Sequence, residues 1–358
     1  MRDGDGRRYA YLCASAEGAR AGAAVAFRAA RSDFGYGSSD NVLADGTAGA
    51  VLGHAERAAA GLMARGTVPI LSSEGWVKRA PVFARDGLLQ RLGGGAHVVL
   101  FVRPPLDWLN AAWWQWGVWT GQGFGDWAKR NLSQARWTRF AREWAEVPGV
   151  AAVHVRLADR DVVASFSALF DLPAPRAAAA VNTTLPPALM AFLLRNRDLR
   201  PDPHASRIEF ALLRALRDVA PPRGPGLWAM TPKASRVLWQ RIALDREGLT
   251  ALLPTAERAR LEADPRWAGP GPYAERTRSA LDRYEAPEAL ATLHDWLAAA
   301  GGAPPSRGAF GSVAEADAAI RALVLRLARP MRRAAVLRKQ VAVGARLIAD
   351  GARDARRR

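Results

Sequence analysis

"FVRPPLDWLNAAWWQWGVWTGQGF" (residues 101–124) is the stretch on which the fold of this chain turns. An apolar run, His97–Val102, ends in Arg103. Two prolines follow, and tryptophans then stand at 108, 113, 114, 116 and 119, with Trp127 just beyond. The run is rich in β-branched and large apolar residues, as a parallel strand covered on both faces is. Pro104 and Pro105 cannot continue a sheet ladder. Pro105 suits the first turn of a helix, and Asp107 suits its positive end. Ligands of open α/β sheets bind beyond the carboxyl ends of strands. Arg103 therefore has two readings. It is a solvated arginine beside an aromatic core, or it is the fixed cation of an anion site. In the second case the free N–H groups of the next helix lie beside it, and Trp108, Trp113 and Trp116 or Trp119 form an aromatic wall.

A second strand end lies upstream. "PILSSEGW" (69–76) closes the run Thr67–Ser72 and delivers Ser72, Ser73 and Glu74 to the same edge of the sheet. Two hydroxyls can bind phosphate or sulfate oxygens. A partly buried carboxylate can serve as a general base, or Glu74 simply caps the following turn. Val150–Val155 is a third buried run, and "RRYAYLCASA" (7–16) reads as one more strand. Helical patterns at 49–65, 105–119 and 132–146 alternate with these runs, which predicts an α/β fold with a mainly parallel sheet flanked by helices.

Beyond residue 156 the pattern is helical: 161–172, 187–196, 206–219 and 233–247, then a piece broken by Pro254. The last 45 residues read as a basic amphipathic helix interrupted near Pro330. Pro and Gly clusters at 220–226, 268–272 and 301–308 mark linkers. The expected organisation is an α/β core over 1–200, a helical extension over 201–320 and the basic helix over 321–358.

Composition removes several function classes. One cysteine, Cys13, allows no disulfide framework, and five scattered histidines make no structural zinc pattern, so no metal is expected. No secretory signal and no run long enough to span a bilayer is apparent, which points to a cytoplasmic protein. The net charge of +17 is uneven. Residues 326–358 carry eleven Arg or Lys against Asp350 and Asp354, a net +9, and the remaining +8 is spread over the rest. Arginines number 47 and lysines four, as in the product of a GC-rich genome. The body is mildly basic, as suits a protein that binds a small polyanion. No nucleic acid is expected as a partner. The C-terminal helix has three readings: peripheral contact with an anionic membrane surface, here the inner membrane, contact with a nucleic acid, which ranks last, or packing on the body.

In order, "SSE", "VRPPLDWLNAAWWQW", "VHVRLADRDVVASFSALFDLP" and "VNTTLPPALMAFLLRNRDL" resemble the bacterial branch of the sulfotransferase-like P-loop proteins, over about residues 67–200. The resemblance implies a P-loop α/β fold. It also implies transfer of a sulfuryl group from 3′-phosphoadenylyl sulfate to a hydroxyl or amine, of a saccharide or glycolipid in our reading. It implies that Arg103 holds the 3′-phosphate and that Glu74 is the base. Ser72, Ser73 and Trp108 would border the donor. Two departures stand out. The family pairs its arginine with a serine eight residues later, where this chain has Ala111, and the adjacent Asn110 is the substitute donor. The family's first strand and glycine-rich lysine loop are absent or degenerate. The candidate remnant is "YLCASAEGARAGAAV" (11–25), with Arg20 in place of lysine. The alternatives are a non-catalytic binding protein of the same fold and a fragment from a misplaced start codon.

Other positions read as structural. Thr183 or Thr184 caps the helix at 187, with Pro186 in its first turn. His154 is a satisfied core residue, Arg195 and Arg197 are solvated, and Arg156 is a second, weaker candidate for anion contact.

Overall fold

The structure is a computed structural model. It describes residues 1–358 apart from 32–36, 43–46, 159–160, 174–184, 223, 307–309, 330–332 and 357–358, and apart from the side chains of 333–335 and 350–356. The caps proposed at Thr183 and Thr184 lie outside the described residues. The strands are β1 (Arg8–Ser15), β2 (Gly18–Ala21), β3 (Thr67–Leu71), β4 (Ala96–Val102) and β5 (Val150–Leu157). In the N-terminal half the helices are α1 (Ala23–Arg31), α2 (Thr47–Met63), α3 (Ala80–Asp86), α4 (Leu88–Arg91), α5 (Pro105–Gln115), α6 (Phe124–Asn131), α7 (Trp137–Ala145) and α8 (Val162–Leu169). The rest are α9 (Pro187–Arg195), α10 (Arg207–Ala215), α11 (Pro232–Leu252), α12 (Thr255–Ala263), α13 (Pro265–Ala268), α14 (Pro287–Gly301), α15 (Val313–Leu327) and α16 (Arg333–Arg356).

The protein is mixed α/β, and the part after β5 is helical among the described residues. The sheet differs from the single parallel sheet expected. One ladder runs β2-β1-β3, with β1 and β3 parallel and β1 and β2 antiparallel; a separate parallel ladder pairs β4 with β5. Among the described residues β3 and β4 each keep one edge without a strand partner.

One core joins the two ladders. Ala14 of β1 contributes to it together with Leu100 and Val102 of β4 and Val155 and Leu157 of β5, and Leu71 of β3 packs against it. Helix α2 packs on β1 and β3, and α7 packs on β4 and β5. The hydrophobic face of α7, Trp137, Phe140, Ala141 and Trp144, supplies much of the seam. Burying each such large side chain contributes about 1.5–3 kcal/mol. The turn from α7 into β5 needs Gly149. Its φ is +91°, and a Cβ there would lie 2.6 Å from the backbone of Leu89 and Gln90.

The second core is helical. It gathers α5, α6 and α9 with α11, α14 and α15, so residues on both sides of position 200 share it. The tryptophans of 101–124 are largely spent here. Trp113, Trp114 and Trp119 are buried, and Gly117 admits the rings of Trp113 and Trp127, whose atoms would stand 2.3 and 2.8 Å from a Cβ. Trp108 packs against both cores and meets Trp137 edge-on, with ring centroids 5.7 Å apart.

Arg195 is not solvated. It forms a two-pronged ion pair with Asp317 at 2.8 and 2.9 Å and fastens α9 to α15, with both side chains largely buried. Arg197 is exposed and donates to the Val118 carbonyl at 3.3 Å. Pro186 stands at the N-cap of α9, before the first turn.

Candidate functional site

Two segments leave the carboxyl ends of the ladders. After β3, Ser72 and Ser73 lead into a 3-10 helix, Glu74–Lys78. After β4, Arg103 and Pro104 lead into α5. Contacts along α7 tie the two exits together. Lys78 Nζ donates to Gln134 Oε1 at 2.9 Å. Gln134 lies in the 3-10 turn Leu132–Ala135 just before α7. The Trp137 indole donates to the Arg103 carbonyl at 3.0 Å, and the Trp144 indole donates to the Val77 carbonyl at 3.0 Å.

Arg103 is exposed, and among the described residues its guanidinium has no hydrogen-bond or ion-pair partner. A cation held by its backbone and free at its head can receive an anion. Pro104 and Pro105 lack N–H groups, so Leu106 and Asp107 carry the N–H groups at the start of α5; the Trp108 N–H already bonds the Pro104 carbonyl at 2.9 Å. Asp107 is engaged by Arg266 at 3.1 Å, which offsets its charge near that helix end.

Ser72 and Glu74 are exposed and Ser73 is half-buried. The partial burial expected of a base is therefore not present at Glu74. Ser39 N–H donates to the Ser72 carbonyl at 3.0 Å, and Arg79 Nε donates to Asn41 Oδ1 at 3.3 Å, so segment 39–41 lies over this exit.

Asn110 does not face the exits with a free amide. Its Nδ2 donates to the Leu227 carbonyl at 3.0 Å, and its Oδ1 accepts from Ala229 N–H at 2.9 Å. It pins segment 227–229 to α5. Trp108 belongs to the seam between the cores. Arg20 is exposed on β2 opposite Cys13. The segment read as a degenerate phosphate loop is a hairpin, in which Ser15 pairs with Gly18 across the two residues Ala16 and Glu17.

At the β5 exit a carboxylate takes the N–H of the last strand residue. Glu257, buried on α12, accepts the Leu157 N–H at 3.0 Å. Arg156 is half-buried on the strand face that carries His154. His154 is half-buried rather than enclosed, and its Nε2 lies 2.9 Å from His97 Nδ1. Burial first, then His97 and Arg156, hold its pKa below the usual histidine value.

A cleft opens beside Pro105 and Trp137, lined also by Trp239, Asp245, Arg246 and Trp267. It encloses about 220 Å³ of empty space, open mouth included. Only about 10 Å³ of it admits the centre of a water-sized sphere, room for a single water and not for a small-molecule ligand. Asp245 serves the fold: it accepts the Thr138 N–H at 3.2 Å and caps α7, and burial raises its carboxyl above the ordinary range.

Lys78 is the residue that the sequence pattern did not single out. Desolvation, followed by the Arg79 cation, lowers its pKa from the ordinary lysine value, although part of the side chain meets water. Its signal was rarity: it is one of four lysines beside 47 arginines, one helical turn after Glu74. Among the described residues no cluster of three or more His, Cys, Asp or Glu could hold a metal ion. No family model, no curated protein and no solved structure matches this chain.

Proposed function

We propose that this protein is sulfotransferase-like and moves a sulfuryl group from 3′-phosphoadenylyl sulfate to a hydroxyl or amine of a saccharide or glycolipid at the β3 and β4 exits. The observation that carries this reading is Arg103, exposed and without a partner among the described residues, between a parallel strand and the start of a helix. Arg103 takes the 3′-phosphate of the donor. Glu74, although exposed and without burial to raise its basicity, takes the proton of the acceptor. The acceptor oxygen or nitrogen bonds to sulfur, the sulfur–oxygen bond to the 5′-phosphate breaks, and adenosine 3′,5′-bisphosphate departs with that electron pair. Positioning and positive charge supply most of the catalysis in such transfers, and Lys78 adds a second cation to the edge.

Transfer also needs a cradle for the 5′-phosphosulfate.

The hairpin Arg8–Ala21 favours a second reading, a protein that binds the nucleotide or a saccharide without transfer. Incubation with sulfur-labelled donor and a panel of saccharide and amine acceptors separates the two. A sulfated product supports transfer. Saturable binding of adenosine 3′,5′-bisphosphate without product supports the binding protein. Neither product nor binding rejects both.

A further inference from the structure

Helix α16 carries an aliphatic stripe with no partner among the described residues. Its half-buried positions, Val336, Gln340, Val343 and Gly344, recur at helical spacing and mark the side that packs on α1. A Cβ placed on Gly344 would stand 3.8 Å from Phe27. A neighbouring side carries Leu337, Val341 and Ile348, which are 61%, 64% and 75% exposed. At spacings of four and seven residues they form one stripe along the helix. Exposed Arg338, Lys339 and Arg346 stand beyond it on the remaining surface. Residues 326–358 hold eleven basic residues and two acidic ones. Lys339 also lies close enough to Arg214 on α10 and Arg217 just after it to feel their charges, so both add to the positive field.

We propose that α16 docks this protein on an anionic lipid surface, lying in the plane of the interface with Leu337, Val341 and Ile348 among the acyl chains. Basic residues beside an apolar stripe are what such a surface selects. A second copy of the helix fits less well, because pairing the stripes would bring two sets of arginines together with few carboxylates to balance them. A nucleic acid would use the cations but leave the stripe in water. The helix lies on the bilayer rather than crossing it, since no described helix is long and apolar enough to span one. The proposal does not depend on sulfuryl transfer.

The test is co-sedimentation of the full chain with vesicles of phosphatidylcholine, with and without one-third phosphatidylglycerol. Binding to the anionic vesicles that weakens with salt is expected, with little binding to neutral ones. The triple variant Leu337→Ser, Val341→Ser, Ile348→Ser is expected to bind about tenfold more weakly or worse. Its thermal midpoint should stay unchanged, because the replaced side chains are exposed. The pair Arg338→Gln, Arg346→Gln is expected to lose the preference for anionic vesicles. Three results would each overturn the proposal: no binding by the native chain, unchanged binding by the triple variant, or a native dimer that the triple variant dissolves. Nucleic-acid binding unaffected by the triple variant, with no vesicle binding, would assign the cations elsewhere.

Discussion

The Trp137 indole donates to the carbonyl oxygen of Arg103, so the residue that follows β4 is fixed through its backbone while its guanidinium has no partner among the described residues. Trp137→Phe keeps a ring in the seam and removes the donor. It is expected to cost about 1 kcal/mol in urea denaturation and to reduce any stabilisation by adenosine 3′,5′-bisphosphate. Unchanged stability and ligand response would show that the bond does not position Arg103.

Asn110 is predicted to serve the fold rather than the ligand. Asn110→Ala leaves the Leu227 carbonyl and the Ala229 N–H without their partner. The expected loss is about 2 kcal/mol, with the nucleotide-induced thermal shift retained. Loss of that shift in a folded Asn110→Ala protein would return the residue to the donor site.

Gly149→Ala combines a positive φ with backbone atoms 2.6 Å from the added carbon. The expected destabilisation is about 2 kcal/mol or more, read as a lower denaturation midpoint. A midpoint equal to that of the native protein would contradict the close approach of segment 89–90 to the β5 turn.

His154 is expected to make stability depend on pH. The folded pKa of His154 is lowered, so as pH falls the unfolded chain takes up this proton first. The contribution is intact above about pH 6.5 and is lost as pH falls from there toward the folded value. Urea midpoints at about pH 7.5 and about pH 5.5 should differ less in His154→Gln than in the native chain. Equal slopes would contradict the assignment.

The positions of β3, β4 and β5 were legible because each is an apolar run bounded by turn residues. The pairing of their edges was not, since a run of β-branched residues does not state its neighbours. Nor was the hairpin, because Ser15 and Gly18 read equally as parts of a phosphate loop until β2 pairs back on β1. Asn110 looked like a ligand donor since its partners lie 117 and 119 residues away. Arg195 looked solvated for the same reason, with Asp317 standing 122 residues downstream. The charge of Arg103 and the bend after it were local, and those parts of the site could be read from residues 101–108 alone.

The central claim is that Arg103 receives a phosphate at the strand ends. Thermal melting with and without adenosine 3′,5′-bisphosphate tests it most directly, in the native protein and in Arg103→Ala. The substitution touches an exposed side chain with no partner among the described residues and should cost little stability by itself. A concentration-dependent rise in the native midpoint is expected, with most of it lost in Arg103→Ala. An equal rise in both proteins, or none in the native one, would contradict it.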